Sequence, residues 1–234
     1  MNKTEPTLAA AANLNRSCFC LTLDETALSA ALRHESGDPA FYGHLIASRP
    51  HLFSQSPVFL PKADGAAMHE IVLAIEAAAV LQGYREALHA WAPAIAEVDH
   101  GPLGAFMGYD FHLGDSDPKL IEINTNAGGA FLNAFLARAQ IACCSEVQQP
   151  QPLLDKFESA VFAMFQAEWR RQGRRDRLRR IAIVDDEPTE QYLYPEFVLA
   201  KRLFERHGIK AVIADARDLR YEGGALLEGG SPVD

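Results

Sequence analysis

The fold class is decided by residues 181–214, which read IAIVDDEPTEQYLYPEFVLAKRLFERHGIKAVIA. Residues 181–184 form a continuous apolar run of the kind found in buried parallel strands, and residues 211–214 form another. Between these runs, Pro195 suits the first turn of a helix and Gly208 suits its C-terminal cap. A strand, a helix and a strand within about 35 residues predict a βαβ unit and an α/β fold class.

The helix of this unit and the residues that follow the unit give two further predictions. The helix should bury an inner face that consists of Val198, Leu199, Leu203 and Phe204. Residues 226–234 predict a hairpin turn that leads into an unfinished strand, and two parallel strands alone make a marginal sheet. We therefore expect this chain to be the front part of a longer protein.

The N-terminal part has a mixed pattern and predicts an α+β arrangement that contains an antiparallel hairpin. The other predicted elements are a helix capped by Asp24 and ending near Glu35, a short strand at Val58–Leu60, one long helix from Ala66 to Ala92, a helix from Phe131 to about Cys144, and a helix with Leu154, Phe157, Val161, Met164, Phe165 and Trp169 on one face. The apolar positions of the long helix are Met68, Ile71, Ile75, Ala78, Leu81, Tyr84, Leu88 and Trp91.

The charge distribution suggests where the chain divides. The net charge is −9, but residues 169–180 contain seven arginines and only Asp176 as an acid. This segment is either a solvated connector between two acidic units, the interpretation we favour, or a contact for phosphate or RNA. The predicted parts are residues 1–168, the connector 169–180, and the start of a second domain at 181–234.

Composition excludes several classes of protein. No apolar run reaches about 18 residues, which predicts no membrane span. The acidic net charge argues against general nucleic-acid binding. The four cysteines are too few for a disulfide scaffold and lack zinc-site spacing, and the N-terminus has no secretory segment, so we expect reduced thiols and a cytoplasmic location.

Two alternating runs, residues 106–113 and 119–124, flank the turn-forming residues 114–118 and predict an antiparallel hairpin. Alternation divides the side chains between two faces. The first face, expected to be core, holds Met107, Tyr109, Phe111, Leu113, Ile121 and Ile123. The second face holds Gly108, Asp110, His112, Glu122 and Asn124.

Symmetric pairing about this turn places Asp110 opposite Glu122 and Gly108 opposite Asn124. Like charges that face each other across strands are destabilising unless something lies between them. Two carboxylates and an amide oxygen suit Mg²⁺, so the pattern predicts a magnesium site. The alternative is a solvent-facing surface on which salt screens the repulsion.

The loop that follows offers a place for an anion. Its residues, Thr125, Asn126, Ala127, Gly128 and Gly129, lead directly into a helix. Adjacent glycines let backbone N–H groups approach a ligand near the positive end of the helix dipole. This pattern indicates a binding site for a carboxylate or phosphate, although ordinary turns also use glycine.

Residues 120–129, LIEINTNAGG, preceded by Tyr109-Asp110-Phe111, resemble the eukaryotic-type glutathione synthetase branch of the ATP-grasp ligases. They resemble still more closely the uncharacterised bacterial ATP-grasp proteins related to that branch. The resemblance implies that Glu122 and Asn124 ligate Mg²⁺ at the ATP phosphates, with Asp110 as the acidic residue on the preceding strand. It further implies that Thr125 to Gly129 hold a small acidic substrate. Gly108 stands where those synthetases have an arginine.

The resemblance also covers the second part of the chain. It implies that residues 181–215 begin a Rossmann-like substrate domain, with Glu190 and Gln191 as substrate-binding residues. The glycine-rich loop, the lysines and the further acidic metal ligand of such enzymes lie downstream of this domain. We therefore expect ATP to be a co-substrate only when that part is present, and this chain alone to be inactive.

These observations lead to one functional hypothesis and two alternatives. The hypothesis is the N-terminal portion of an ATP-dependent carboxylate–amine ligase, with a small anionic substrate such as an amino acid or peptide carboxylate. The alternatives are a non-enzymatic module that binds a small ligand, and an inactive truncated product.

Overall fold

The structure is a computed structural model that describes residues 8–18, 20, 22–114, 117–141 and 156–234. The chain forms two compact units. Unit 1 comprises residues 1–19 and 58–127, and unit 2 comprises residues 20–57 and 128–234. Each unit contains both helices and strands, which agrees with the predicted α/β class.

The helices and strands are numbered in chain order. The helices are α1 (Leu8–Ser17), α2 (Glu25–Ser36), α3 (Phe41–Ser48), α4 (Lys62–Ala79), α5 (Gln82–His89), α6 (Ala130–Ala139), α7 (Phe157–Arg171) and α8 (Tyr194–Arg206). The strands are β1 (Gly108–His112), β2 (Lys119–Asn124), β3 (Arg180–Asp185), β4 (Lys210–Asp215), β5 (Leu219–Glu222), β6 (Ala225–Glu228) and β7 (Ser231–Val233). Short 3₁₀ helices cover Ala94–Glu97, Pro188–Glu190 and Ala216–Asp218.

The βαβ unit is present in unit 2. Strands β3 and β4 pair in parallel, with Ile181 opposite Ala211 and Val184 opposite Ala214. Helix α8 connects them, has Pro195 in its first turn and is followed by Gly208, whose φ of 73° requires glycine-like freedom. Its buried face holds Leu199, Leu203 and Phe204, whereas Val198 is only half-buried.

The core of this unit includes part of the segment that was expected to be a solvated connector. Trp169 and Leu178 are buried with Phe204 and Ile209, and each large apolar side chain removed from water contributes about 1.5–3 kcal/mol. The indole Nε1 of Trp169 donates to the carbonyl oxygen of Asp176 at 2.8 Å. The expectation that the whole segment is solvated is therefore wrong. Six of its seven arginines are exposed as expected, but Arg180 is buried, and the two apolar residues Trp169 and Leu178 pack inward.

The predicted functional parts, 1–168, 169–180 and 181–234, stay a prediction. The two compact units divide the chain elsewhere, at 19/20, 57/58 and 127/128.

A three-stranded antiparallel sheet, β5–β6–β7, follows the βαβ unit. The expectation of an unfinished strand at the end is wrong, because Ser231–Val233 pairs with β6. The buried Arg180 at the start of β3 forms an ion pair with Glu228 of β6. The carboxylate of Asp234 also accepts the N–H groups of Arg179 and Arg180, at 2.6 and 3.0 Å. These contacts fasten the C-terminal sheet to β3.

Helices α2, α6 and α7 pack on α8, and α3 packs on α2. Asp24 caps α2 as predicted, because its carboxylate accepts the N–H of Ala27 at 2.9 Å. Helix α6 ends at Ala139 rather than near Cys144, since Gln140 is already extended and bridges Leu23. Cys143, Cys144 and Leu154 lie outside the described residues.

Two predicted elements of unit 1 differ in the structure. Residues 58–60 are not a strand, because the side-chain amide of Asn15 takes both backbone bonds of Phe59, at 2.7 and 2.9 Å. The prediction of one long helix from Ala66 to Ala92 is also wrong. The helix breaks at Val80–Leu81, where Leu81 has an extended ψ of 132°, to give α4 and α5. The hydrophobic periodicity continues across the break, but β-branched Val80 and nearby Gly83 are poor helix formers.

We predict that Glu228→Ala lowers the free energy of unfolding by about 3 kcal/mol, because it leaves the guanidinium of Arg180 buried without its counter-charge. Chemical denaturation measures the change. Combining it with Arg180→Met should recover most of the loss, since the unpaired charge is then removed. A double variant that is less stable than Glu228→Ala would contradict this account.

Candidate functional site

The hairpin that carries the predicted metal ligands is present in unit 1. Strands β1 and β2 are antiparallel, with Gly108 opposite Asn124 and Asp110 opposite Glu122, as predicted. Directly opposed residues share one face of a sheet. The two carboxylates and the amide of Asn124 therefore lie on the same face, where Asp110 and Glu122 are exposed to solvent.

Tyr109 also lies opposite Ile123 as predicted, but beyond Asp110 the predicted register is wrong because of a β-bulge between Asp110 and Phe111. Phe111 pairs with Leu120 rather than Ile121. Ile121 leaves the apolar face and is 66% exposed, while half-buried Leu120 takes its place opposite Phe111. An extra residue in one strand shifts the alternation of side chains between the two faces beyond it. A short sequence carries no pattern that predicts a bulge.

The apolar face of the hairpin is turned toward α4 but is not a closed core. The hydroxyl of Tyr109 donates to the carboxylate of Glu76 on α4, and this hydrogen bond raises the pKa of Tyr109. The expected core residues Met107, Leu113 and Ile123 each stay about 40% exposed. A two-stranded sheet covered by one helix has too little area to bury them.

Close packing around position 108 explains why a glycine stands there. A Cβ at Gly108 would lie 3.0 Å from the Cβ of Ala127 and 3.4 Å from that of Asn124. The N–H of Ala127 donates to the carbonyl oxygen of Phe106 at 3.1 Å, which folds the loop back over β1. A larger residue at this position would push the loop away. Ala127 is thus held beside Gly108 on the acidic face, and exposed Thr125 and Asn126 connect it to β2.

The donor set of the acidic face fits a hard cation. Two carboxylates and one amide oxygen supply part of an oxygen shell and leave positions for water or phosphate oxygens, as Mg²⁺ prefers. Over the described residues, no group of three or more His, Cys, Asp or Glu side chains is arranged to hold a metal. The predicted site does not depend on such a group, because one of its three ligands is an amide.

The glycine pair that follows begins unit 2. A Cβ at Gly128 would lie 2.7 Å from Cδ1 of Leu193, so a larger residue would force that side chain to move. Gly129 has a φ of 92°, a conformation that favours glycine. Close packing and a positive φ therefore explain both glycines.

A buried glutamate that sequence reasoning missed satisfies the start of α6. The carboxylate of Glu196 on α8 accepts the N–H groups of Phe131 and Leu132, at 2.9 and 3.0 Å. Burial raises the pKa of Glu196, and four backbone N–H groups, from Gly129 to Leu132, oppose this change. An external anion at this helix end would compete with Glu196. The glutamate and the helix are 65 residues apart, so no local signal reveals the contact.

The other two predicted substrate residues line a crevice where the parallel strands end. Glu190 and Gln191 share a cavity of about 300 Å³ with Asp186, Glu187 and Arg217. It lies at the carboxyl ends of β3 and β4, where open α/β sheets bind ligands. Both residues, which the resemblance implied as substrate-binding, lie on the loop that follows β3.

Hydrogen bonds hold the walls of this crevice. Glu187 has a φ of 42°, the one positive value among the described non-glycine residues, and its N–H donates to Asp215 at 2.8 Å. Asp215 also accepts from the guanidinium of Arg217, which holds the pKa of that carboxyl well below its usual range. Arg49 donates to the carbonyl oxygens of Gln191 and Tyr192, at 2.7 and 2.6 Å.

The predicted site residues are thus divided between the units. Unit 1 brings together the three predicted metal ligands and the loop residues before position 128, which are Asp110, Glu122, Asn124, Thr125, Asn126 and Ala127. Unit 2 holds Gly128, Gly129, Glu190 and Gln191.

The chain matches no protein family, no curated protein and no solved structure. Among the described residues, no helix is both long and apolar enough to cross a membrane.

We predict that Glu196→Ala destabilises the protein by about 1–3 kcal/mol, because the buried N–H groups of Phe131 and Leu132 lose their acceptor. Denaturant unfolding monitored by circular dichroism measures the loss. The matched control is Glu205→Ala on the same helix, which removes only partly exposed pairs with Lys201 and Arg202 and should cost less than about 1 kcal/mol. Equal losses in the two variants would contradict the capping role.

The raised pKa of Glu196 predicts a pH dependence of stability. A carboxyl whose pKa is raised on folding binds a proton more readily in the folded state, so its contribution is fully present below the unfolded pKa. That contribution is lost as the pH rises from about 4.5 through the higher folded pKa. The free energy of unfolding of the wild type should therefore fall relative to Glu196→Gln across this window. A difference that is constant from pH 4 to 7, or one that grows, would show that the pKa is not raised.

Proposed function

We propose that this chain supplies the Mg²⁺-binding and substrate-binding part of an ATP-dependent carboxylate–amine ligase, similar to the glutathione synthetase branch of the ATP-grasp class. The observation that carries the proposal is the strand register, with Asp110 opposite Glu122 and Gly108 opposite Asn124. It gathers the residues of the Glu-x-Asn motif and the preceding acid on one exposed face. Three oxygen-bearing side chains on one hairpin match the requirements of Mg²⁺.

The proposed reaction has two steps. A carboxylate oxygen of the acid attacks the γ-phosphorus of ATP, forming an acyl phosphate and releasing ADP. The nitrogen of the amine then attacks the acyl carbon, and inorganic phosphate leaves. Bound Mg²⁺ would neutralise charge on the phosphate oxygens, and the protein contributes positioning and electrostatic stabilisation.

In this proposal each part of the hairpin has a distinct role. Glu122 and Asn124 hold the metal directly, and Asp110 supports them from the opposite strand. Thr125, Asn126 and Ala127, kept in place by the contact at Gly108, present backbone groups to the acidic substrate. Gly128 and Gly129 allow the chain to turn into α6.

The βαβ unit is proposed to be the start of a Rossmann-like substrate domain. Its crevice has three carboxylates, Asp186, Glu187 and Glu190, and one guanidinium, that of Arg217, which Asp215 already engages. The excess of negative charge favours the amine-bearing substrate over the acid. Gln191 adds an amide and a backbone held by Arg49.

ATP enters the proposal as a co-substrate. The phosphate-covering loop and the lysines that hold a nucleotide in the resembling enzymes lie downstream of the substrate domain. We therefore propose ATP turnover only for a protein that carries those elements as well.

The second candidate function is a non-enzymatic module that binds a small ligand. It is favoured by the crevice of Glu190 and Gln191, which is complete within unit 2 and held open by hydrogen bonds. Such a module would bind its ligand without a metal, whereas the ligase proposal requires the hairpin carboxylates to bind a divalent cation.

The metal site is tested with Mn²⁺, which takes the same oxygen ligands and broadens nearby nuclear magnetic resonance signals. In the 234-residue chain, Mn²⁺ should selectively broaden the amide signals of residues 108–112 and 119–124. Glu122→Gln should weaken Mn²⁺ binding about tenfold, equivalent to about 1.4 kcal/mol, because it removes a ligand charge. The same change should leave the free energy of unfolding unchanged or raise it slightly, since it relieves repulsion with Asp110.

The matched control is Glu70→Gln, an exposed glutamate on α4 in the same unit. It should leave the broadening of the hairpin signals unchanged. Equal effects of the two substitutions would show that Mn²⁺ is held only by general charge attraction and not at a specific site. A Glu122→Gln variant that unfolds would show that Glu122 is structural, and the metal site would be lost.

A further inference from the structure

The arginine-rich segment forms part of a cavity that the proposed ligase chemistry does not use. The cavity has a volume of about 800 Å³ and is lined by Arg170, Arg174, Arg175 and Arg177 together with aromatic and apolar side chains. We call it the arginine pocket. It lies within unit 2, between the end of α7 and the turn after α8. Its volume is in the range of sites that bind small molecules.

The floor of the arginine pocket is rigid. Trp169, Leu178 and Ile209 line it and belong to the buried core, each less than 10% exposed. The indole of Trp169 donates to the carbonyl oxygen of Asp176, which fixes the turn between α7 and β3. His207 stacks on Phe162, with ring centroids 3.6 Å apart. The charged walls therefore stand on a packed base.

Two of the guanidinium groups are positioned by specific contacts. Arg174 lies over the ring of Trp169, with its Cζ 5.3 Å from the ring centroid. Nη2 of Arg177 donates to the carbonyl oxygen of His207 at 3.1 Å. A Cβ at Gly208 would lie 2.9 Å from that same Nη2, so glycine makes room for the guanidinium.

The charge of the pocket is not neutralised within the described part of the chain. Six other arginines of unit 2 each lie within 4.0 Å of a carboxylate, namely Arg138, Arg171, Arg180, Arg202, Arg206 and Arg217. Over the same described residues, Arg170, Arg174 and Arg175 form no ion pair. Counting His207 as neutral, the pocket has a net charge of +3, with Asp176 as its one acidic residue.

This concentration of charge has a cost that an ordinary helix end does not explain. Cations near the C-terminus of a helix interact favourably with its dipole, which accounts for Arg170 and Arg171. The effect fades within a turn, so it does not account for Arg174, Arg175 and Arg177. The four guanidinium groups that line the pocket repel one another, and a bound polyanion would remove that repulsion.

We propose that the arginine pocket binds a small molecule carrying two or more phosphate groups. The planar guanidinium fork pairs bidentately with phosphate oxygens, and each phosphate group brings up to two negative charges. A diphosphate therefore matches the charge of the pocket with one compact ligand, whereas carboxylates would need three or four groups. A long polyanion is disfavoured because the protein as a whole has a net charge of −9.

The proposal is tested by calorimetric titration of the 234-residue chain with inorganic pyrophosphate and tripolyphosphate, in 150 mM salt with EDTA. We expect dissociation constants below about 1 mM, with tripolyphosphate the tighter ligand. The double variant Arg174→Gln, Arg175→Gln should weaken binding at least about tenfold. Both side chains are exposed, so the fold should be kept, and thermal unfolding of the variant checks this.

The matched control is Arg171→Gln, which removes the same charge one helical position away from Arg170. Its guanidinium is paired with Glu168 at 3.4 Å, and it does not line the pocket. Affinity should change less than twofold. Fluorescence gives the location, because the chain has only two tryptophans and Trp91→Phe leaves Trp169 as the single reporter. Ligand binding should change the emission of Trp169 in that background.

Several outcomes would overturn the proposal. They are the absence of binding at 1 mM tripolyphosphate, equal losses in the pocket variant and in Arg171→Gln, tighter binding of citrate than of pyrophosphate, and tighter binding of a single-stranded RNA oligomer than of tripolyphosphate at equal phosphate concentration. The proposal is independent of the ligase function. Glu122→Gln should leave pyrophosphate affinity unchanged, so the failure of one proposal does not decide the other.

Discussion

The buried carboxylate of Glu196 is the contact on which unit 2 most depends. It projects from α8, the helix of the βαβ unit, and accepts N–H groups at the start of α6. Helix starts leave several N–H groups without partners, and burying them unpaired is costly. One side chain therefore joins the parallel-sheet part to the helical layer. It also fixes the point at which the chain leaves the Gly128–Gly129 turn.

Charge is arranged differently in the three places where a ligand could bind. The hairpin face of Asp110 and Glu122 is acidic and exposed, which suits a hard cation. The crevice of Glu190 and Gln191 is mostly acidic but contains Arg217, which Asp215 orients. The arginine pocket is basic and stands on a buried aromatic floor. Although the whole chain is acidic, its acidic and basic side chains are therefore concentrated in different candidate sites.

Backbone constraints explain several residues that look functional in the sequence. Gly108 allows the close approach of Ala127, and Gly128 makes room for the side chain of Leu193. Gly208 gives space to the guanidinium of Arg177. A glycine in a motif can therefore serve packing while the residues beside it bind a ligand. In the proposed metal site the ligands are the carboxylates and the amide, and Gly108 allows the following loop to approach them.

The sequence by itself determined the βαβ unit, the cap at Asp24 and the pairing of Asp110 with Glu122, because local periodicity and turn residues govern them. Only the tertiary structure decided the bulge after Asp110, the break of the long helix at Leu81, and the role of Glu196. These depend on small differences in local backbone energy or on partners far away in sequence. A pattern of residue types indicates which side chains will be buried. It does not indicate which distant group will pair with a buried polar atom.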